Sequence, residues 1–375
     1  MEEYSNVLDE VAAPEENDNI NVELYVVVVI LCVFTVIGTA GNGLVIYVYS
    51  RTRDKLTSTL FILVLAVTDF MTCLIIVPFT IIMELKYFRI GDNDIACKFY
   101  HFLITCNIPF SAFIMAAIAV DRYLCICQTF LHVMSRFRAK VTVFALLMLS
   151  LSLGTFTSLA VGVYERFTFN ETYPANTSSF GNITSETTIV VTRVDLTGIC
   201  STNNLIVTNT MLDIYHKIYT SLYGIAFLLV VVLYILIVCN VRMRQRQKRS
   251  ASLRCEISTN SNSPTNDFPT EAFELNERNP RENGHSNKVP KERDRKTIKM
   301  DKNLMANFKM AMMLFVVTLV FIVAFLPAFL MVHRLMPFNF VVFYMYFAHN
   351  VTNPFIYSFM NRNFRHDLKT IFNCC

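Results

Sequence analysis

The residues of this chain whose types and spacing could do chemistry are charged groups and cysteines set in apolar sequence. Asp69 lies inside a long apolar run, and Asp121-Arg122-Tyr123 closes another run that begins near Cys97. A charge inside hydrocarbon costs at least a few kcal/mol, so Asp69 needs a polar partner or an ion. About 25 residues separate Cys97 from Arg122, and a helix of that length, roughly 38 Å, crosses the roughly 30 Å core of a bilayer.

The composition shows which elements position these groups. Of 375 residues, 54% are hydrophobic and 17% are charged, and the mean hydropathy is +0.43. Such a chain is too apolar for a soluble globule. Seven runs have about the length of a bilayer span: Leu24 to Tyr49, Leu56 to Met83, Ile95 to Cys127, Val141 to Val163, Ile214 to Val241, Phe308 to Val332 and Phe338 to Met360. The sequence therefore predicts an all-α membrane protein, a bundle of seven transmembrane helices over residues 24–360.

Loop charges predict the orientation of the bundle. Residues 1–23 form an acidic tail without Lys or Arg, whereas the first loop carries Arg51, Arg53 and Lys55. Basic loops stay in the cytoplasm, so the amino terminus is predicted to be extracellular. The long loop 164–213 agrees, because it holds N-glycosylation sequons at Asn170, Asn176 and Asn182.

The long outer loop is also predicted to be tied down. On this orientation Cys97 and Cys200 are the two extracellular cysteines, and a bridge between them would join the loop to the start of span three. The segment Thr187 to Val194 is rich in β-branched residues and is predicted to form one strand of a hairpin.

The cytoplasmic segments are basic. Residues 242–303 are predicted to form a largely disordered loop, and the Lys and Arg residues at its edges favour contact with anionic lipid over a nucleic-acid site. Residues 361–375 are predicted to form a short amphipathic eighth helix and a tail ending in Cys374 and Cys375. These two cysteines are either palmitoylated or free thiols.

Short motifs in chain order make nearly all of residues 24–375 resemble the rhodopsin-like (class A) family of G-protein-coupled receptors. They are Gly41-Asn42-Gly43-Leu44-Val45, Leu65-Ala66-Val67-Thr68-Asp69, Asp121-Arg122-Tyr123, Tyr234, Phe321 to Pro327, and Asn353-Pro354-Phe355-Ile356-Tyr357 followed by Phe364. The resemblance implies a plasma-membrane receptor that activates heterotrimeric G proteins, with arrestin and receptor kinases as further partners. No nucleophile, metal cluster or phosphate loop appears in the sequence, so we expect no enzyme, and we expect no cofactor apart from a bound sodium ion.

The resemblance also implies a two-state switch. It assigns the switch and the G-protein contact to Asp121, Arg122, Tyr123, Tyr234, Phe321, Phe325, Pro327, Asn353, Pro354 and Tyr357. Pro327 and Pro354 each remove a helical hydrogen bond and let a span flex. On activation, the inner end of span six would then swing outward and Arg122 would meet the G protein. The alternative role for Arg122 is to extend its guanidinium to the lipid headgroups.

Asp69 is placed by the resemblance in a sodium pocket that collapses on activation. The other members would be Ser111, His349, Asn350 and Asn353. The alternative is a neutral Asp69 in a hydrogen-bonded cluster, which His349 favours because the family usually has Asn there.

Several positions depart from the family pattern. The chain has no Trp, so Phe325 takes the place of the aromatic toggle in span six, and Tyr87 and Phe88 lie near the place of the outer-loop Trp. Ala226 replaces the usual proline of span five, and Asn307 replaces the acid that often pairs with the span-three arginine. The resemblance thus leaves Arg122 restrained by Asp121 alone.

Single positions in the sequence argue against two classes of ligand and leave several others open. Amine receptors carry Asp at the position of Ile104 and opsins carry Lys at that of Phe347, so these two positions argue against both classes of receptor. A long tethered loop is typical of peptide receptors, and an apolar floor is predicted from Ile104, Ile108, Phe325, Phe329 and Phe343, unless these residues only pack. Charged residues of both signs surround the predicted mouth: Glu84, Asp92, Asp94, Asp213, Lys86, Arg89, Lys217, His333 and Arg334.

A neuropeptide is the predicted ligand of this receptor. A lipid or small carboxylic acid, held by one basic anchor, is the alternative. A transporter or channel is a more remote hypothesis, because the sequence lacks the repeated halves typical of transporters.

Overall fold

The computed structural model describes residues 17–51, 57–128, 135–174, 186–203, 205–260 and 292–373. Within them, helical segments follow the predicted spans, and we number these in chain order. Spans one to seven are Asn17–Arg51, Thr57–Leu85, Asp94–Cys127, Arg136–Ala160, Asn209–Asn260, Glu292–Val332 and 340–360. In this part of the chain, six helices are long and apolar enough to cross a membrane.

Span seven is broken, whereas the sequence predicted one helix over 338–360. It consists of a helix Phe340–Tyr344, a 3₁₀ turn Met345–Phe347 and a helix Ala348–Met360. Just after the turn, His349 Nδ1 lies 2.5 Å from the carbonyl oxygen of Tyr346, and Asn350 Nδ2 donates to that of Phe347 at 3.3 Å. Such bonds to the preceding turn compete with the regular backbone ladder, which accounts for the break.

Span two is also irregular. A π-helical turn, Thr72–Ile76, separates its helices Thr57–Met71 and Val77–Leu85. Pro78 follows at the start of the second helix and cannot donate a backbone hydrogen bond, so the turn absorbs the disturbance. Thr72 Oγ1 bonds to Thr68 O at 2.8 Å and accepts from Asn107 Nδ2 of span three, also at 2.8 Å.

Spans one, two and seven pack closely through small residues. A Cβ atom at Gly41 would lie 3.0 Å from the ring of Pro354, and one at Gly38 would clash with Cys73 Sγ at 2.3 Å. Pro354 leaves the carbonyl of Asn350 without its helical donor, and Asn42 Nδ2 donates to that oxygen at 2.7 Å. The glycine motif of span one therefore lets span one pack closely against span seven at Pro354.

A β-hairpin connects spans four and five. Strand β1, Val161–Pro174, pairs antiparallel with β2, Glu186–Thr202, and includes the predicted strand Thr187 to Val194. The predicted bridge is confirmed, because Cys97 and Cys200 form a disulfide. We call this end of the bundle the disulfide end, and the opposite end, which holds Arg122, the arginine end.

Three segments differ from the predicted boundaries. Span one begins at Asn17, inside the predicted tail 1–23. Span four ends at Ala160, before the predicted Val163, because the chain there enters β1. The predicted loop 242–303 is helical up to Asn260 and again from Glu292, since its Arg, Lys and Gln residues are good helix formers. Residues 261–291 lie outside the described ranges.

The amphipathic eighth helix is confirmed as Arg362–Asn373. Asn361 caps it, since its Oδ1 accepts from Phe364 N at 3.2 Å, while its Nδ2 donates to Tyr49 OH at 2.7 Å. Phe364 stacks on Tyr49 with ring centroids 5.7 Å apart. The helix is thereby fixed to the end of span one. Cys374 and Cys375 lie outside the described residues.

Candidate functional site

An ion pair lies buried at the arginine end of span three. Arg122 Nε donates to Asp121 Oδ2 at 3.1 Å, and its Nη2 also bonds to that oxygen. Thr57 of span two donates to Asp121 Oδ1 at 2.9 Å. Arg122 is 4% exposed, so its guanidinium is folded onto Asp121 and does not extend to headgroups as snorkelling would require. Tyr123, the third residue of the triplet, is half-buried against span five, and the side chain of Asn307 lies outside the described part.

Two tyrosines of the predicted switch lie deep in the bundle. Tyr234 of span five is 3% exposed and packs on Phe315, with ring centroids 5.0 Å apart. Tyr357 is fully buried, meets the edge of Tyr49 at 6.4 Å, and its hydroxyl has no partner among the described residues. A buried hydroxyl without a partner is costly, so a rearrangement that pairs it gains free energy.

Asp69 belongs to a buried polar cluster. Asn353 Nδ2 donates to Asp69 Oδ2 at 2.6 Å. All five predicted sodium residues are at most 5% exposed. Several of their atoms lack a partner among the described residues, namely Asp69 Oδ1, Ser111 Oγ, Asn350 Oδ1 and His349 Nε2. The three orphaned oxygens suit a hard cation, whereas the imidazole nitrogen does not. The structure brings Asp69 and Asn353 into contact, and the other three residues are buried and each has an unpartnered polar atom among the described residues.

An aromatic series leads from the disulfide end toward this cluster. Phe325, at the toggle position, packs against Tyr223 at 4.5 Å and Tyr346 at 6.0 Å between ring centroids. Phe321 stacks on Phe325 at 6.0 Å and meets His349 edge-on at 4.9 Å. Phe321 thus joins the toggle to a predicted sodium residue. Pro327, two residues after Phe325, lies inside span six.

The predicted floor is a packed apolar layer. Ile104, Ile108, Phe325 and Phe343 are half-buried against one cluster that includes Tyr346 and Phe347. Phe329 joins this layer through Tyr223, whose ring lies 6.1 Å away. A small cavity lies below, between spans three, five and six, where Ala112 and Ala226 leave space and the hydroxyl of Tyr223 has no partner among the described groups.

The hairpin and the first outer loop form one lid over the disulfide end. Arg89 pairs with Ile199, and Cys200 N donates to Phe88 O at 2.9 Å. Tyr87 and Phe88, at the place of the missing Trp, adopt positive φ angles of 47° and 57°. The ring of Phe88 reaches Tyr100 of span three, 6.0 Å away.

Asp94 holds the lid from below. Its Oδ1 accepts from Val163 N at 3.1 Å, and its Oδ2 pairs with Lys98 at 2.5 Å. Asn170 lies in β1, while Asn176 and Asn182 lie outside the described residues.

Glu84 corrects the predicted mouth. The sequence placed it among the charged residues around the mouth, but it is 3% exposed and accepts a hydrogen bond from the hydroxyl of Tyr344. The sequence did not predict Thr57, Asn107 and Asn42 as partners across spans. Asn107 lies between the apolar Cys106 and Ile108, which was the available signal there. Asn42 stands in the glycine motif of span one, whereas Thr57 is followed by Ser58 and Thr59 and carries no comparable signal.

A family model described as "7 transmembrane receptor (rhodopsin family)" matches residues 41–357 of the chain. Among solved structures, squid rhodopsin superposes with a TM-score of 0.61, covering 94% of this chain and 82% of that chain at 19% identity. At that identity the likeness shows a shared fold alone.

Relatives with known ligand classes match shorter stretches. Galanin receptor type 1 of Homo sapiens is 34% identical over 123 residues, 31% of this chain and 35% of the relative. The octopressin receptor of Octopus vulgaris is 30% identical over 126 residues, 33% of this chain and 30% of the relative. Cholecystokinin receptor type A of Canis lupus familiaris is 35% identical over 119 residues, 31% of this chain and 26% of the relative. The alignments thus span about a third of these relatives' length.

Proposed function

The chain belongs to the rhodopsin family of seven-transmembrane receptors, and we propose that it is a plasma-membrane receptor that binds an extracellular peptide and activates heterotrimeric G proteins. It is not an enzyme but a signalling receptor of multi-pass topology. The buried Arg122–Asp121 pair carries the proposal, because it holds a strong cation ready at one end of the bundle. The peptide ligand is supported by the galanin, octopressin and cholecystokinin receptors among the relatives and by the disulfide-tied hairpin.

The acidic amino terminus and the disulfide end face outward on this proposal. Asn170, Asn176 and Asn182 then carry glycans, and the arginine end meets the G protein, arrestin and receptor kinases. The eighth helix lies on the inner leaflet, where its exposed Arg365, His366 and Lys369 meet lipid headgroups. Cys374 and Cys375, which follow it, are the proposed palmitoylation sites.

In the proposed mechanism, the ligand binds at the apolar floor and contacts Phe325 directly. When the ligand displaces Phe325, the stacked ring of Phe321 has to move with it. This movement shifts span six close to Pro327, where the helix can bend. Outward movement of the inner half of span six uncovers Arg122, Tyr234 and Tyr357. Arg122 then leaves Asp121 for the G protein, and the orphaned hydroxyl of Tyr357 gains a partner.

Asp69 Oδ1, Ser111 Oγ and Asn350 Oδ1 are the atoms proposed to hold a sodium ion in the inactive state. The ion would supply the positive charge that a buried carboxylate needs. Asn353 anchors the other oxygen of Asp69, so span seven senses the state of the pocket.

Sodium should raise the melting temperature of the detergent-solubilised wild type relative to N-methyl-D-glucamine at equal ionic strength, because an ion that binds the folded state stabilises it. Asp69→Asn should lose this difference, and agonist affinity in the wild type should fall as sodium rises. Asp213→Asn, which changes an exposed acid at the disulfide end, is the matched control and should keep the sodium-dependent rise in melting temperature. An equal sodium response in Asp69→Asn would favour the neutral, hydrogen-bonded Asp69.

The ligand class is tested by a panel of galanin, octopressin and cholecystokinin peptides beside long-chain carboxylic acids, with second messengers as the readout. We expect a peptide to raise the signal well above that of mock-transfected cells. Activation by a carboxylic acid and by no peptide would overturn the peptide proposal. No specific observation favours that alternative, since Lys86, Arg89, Lys217, His333 and Arg334 are all exposed and none anchors the floor.

A further inference from the structure

The charges at the disulfide end differ sharply in burial. The basic residues predicted to surround the mouth are all exposed, as are Asp92 and Asp213, and Asp94 is half-exposed with Lys98 as its partner. Glu84 alone among these described residues is buried, at 3% exposure. Of the charged residues predicted at the mouth, the buried layer above the floor therefore holds one carboxylate and none of the bases.

Glu84 has no basic partner among the described side chains. In the described part of the chain no Lys, Arg or His lies within 4.0 Å of its carboxylate, and its bond is with the Tyr344 hydroxyl. A buried carboxylate without a cation is expensive, and one hydroxyl donor offsets part of that cost. The site is thus set up to gain free energy from an incoming cation.

Aromatic residues lie around Tyr344 and the last turns of span two. The ring of Tyr344, whose hydroxyl bonds to Glu84, packs edge-on against Phe343 at 5.2 Å and lies 6.4 Å from the ring of Tyr346 between centroids. Tyr100 OH donates to Thr80 Oγ1, one turn before Glu84 in span two, at 3.4 Å. Tyr100 in turn packs on Phe79 at 5.3 Å. Aromatic faces attract ammonium and guanidinium groups through their quadrupoles, so rings near one carboxylate suit an organic cation.

Glu84 also lies between the lid and the floor. It occupies the last turn of span two, next to Met83, which packs in the cluster with Cys97, Cys200 and Tyr100. Its partner Tyr344 belongs to the floor cluster, and Ile104 packs against both clusters. Glu84 therefore lies where the cluster beneath the lid meets the floor.

We propose that Glu84 binds a cationic group of the extracellular ligand, a primary ammonium or a guanidinium. The cation pairs with the carboxylate, and Tyr100, Tyr344 and Tyr346 enclose it. This inference rests on the proposed function and adds the sign of the ligand charge, which both the sequence and the relatives leave open.

The first test needs no identified ligand. n-Butylguanidinium should raise the melting temperature of the detergent-solubilised full-length receptor in a concentration-dependent way, while the neutral isostere n-butylurea should not. Glu84→Gln, which keeps an acceptor for Tyr344, should abolish the rise, and Asp92→Asn, an exposed acid at the same end, should retain it. No rise in the wild type, an equal rise with n-butylurea, or a retained rise in Glu84→Gln would overturn the inference.

The second test uses whichever panel peptide activates the receptor, with its Lys acetylated or its Arg replaced by citrulline at one position at a time. At one position the neutral analogue should raise the half-maximal concentration about tenfold or more in the wild type, since close charge pairs at interfaces are worth more than about 1.4 kcal/mol. In Glu84→Gln the two peptides should be equipotent. If no peptide activates, the proposed function fails while the guanidinium test stands. If peptides activate but charge at every position is irrelevant, only the Glu84 inference fails.

Discussion

Arg122→Ala is expected to reduce agonist-stimulated second messenger to background while ligand affinity stays within a few-fold of the wild type. The reason is geometric, because Arg122 lies at the arginine end of span three and the floor lies beneath the lid at the other end. Its guanidinium, 4% exposed, is held by Asp121 and has no part in the floor. Signalling normalised to surface expression, together with radioligand or fluorescent-ligand binding, measures both halves of the prediction.

Weakening the bond between Asp121 and Arg122 is expected to raise basal signalling. Asp121→Asn should raise it several-fold by weakening the ion pair, and Thr57→Val should raise it less, because it removes only the 2.9 Å bond that fixes Asp121. Arg242→Ala, an exposed cation at the same end, is the matched control and should change neither basal nor stimulated signalling strongly. Full signalling from Arg122→Ala at equal surface expression would refute the proposed mechanism.

Loss of the disulfide is expected to cost about 2 to 5 kcal/mol of stability and to lower surface expression and ligand response together. The bridge fixes β2 to span three, and it keeps Cys200 N in place to donate to Phe88 O. Without it, both the hairpin and the first outer loop lose their attachment over the floor. Cys97→Ala and Cys200→Ala should therefore behave alike, and the double variant should be no worse than either one.

Cys239→Ala is the matched control for the disulfide, since Cys239 is a free, exposed cysteine of span five. It should match the wild type in surface density and response, both measured by flow cytometry and a second-messenger assay. Peptide mapping of the surface-expressed wild type should find Cys97 and Cys200 linked. Two free thiols there would contradict the prediction.

Much of the fold was readable from the chain because hydrocarbon imposes long apolar runs. The apolar parts of the spans were located, although the helices of spans five and six extend well beyond them. The Cys97–Cys200 bridge, the hairpin strand and the eighth helix were predicted and are present. The motif residues Asp69, Asn353, Asp121 and Arg122 were also predicted as partners, and each pair is in contact. These features depend on local composition or on residues that belong to recognised motifs of the family.

Irregular helix segments escaped prediction. The π turn in span two and the 3₁₀ turn in span seven arise where polar side chains and prolines compete for backbone groups, which hydropathy does not record. Span five runs on to Asn260 for a related reason, because helix propensity continues after the apolar run ends.

The sequence by itself determined the number of spans, their order and the residues that carry charge into the membrane. Tertiary structure decided which of those charges are buried and what they touch. Glu84 meets Tyr344 across 260 residues of chain, Asn42 meets the carbonyl of Asn350 across 308, and Thr57 meets Asp121 across 64. Such contacts depend on how far each helix is rotated about its axis and how deeply it sits, and packing between spans sets both. An apolar run of the right length can span the bilayer at any rotation of the helix about its axis. The sign of the charge offered to a ligand therefore became clear only from the packed bundle.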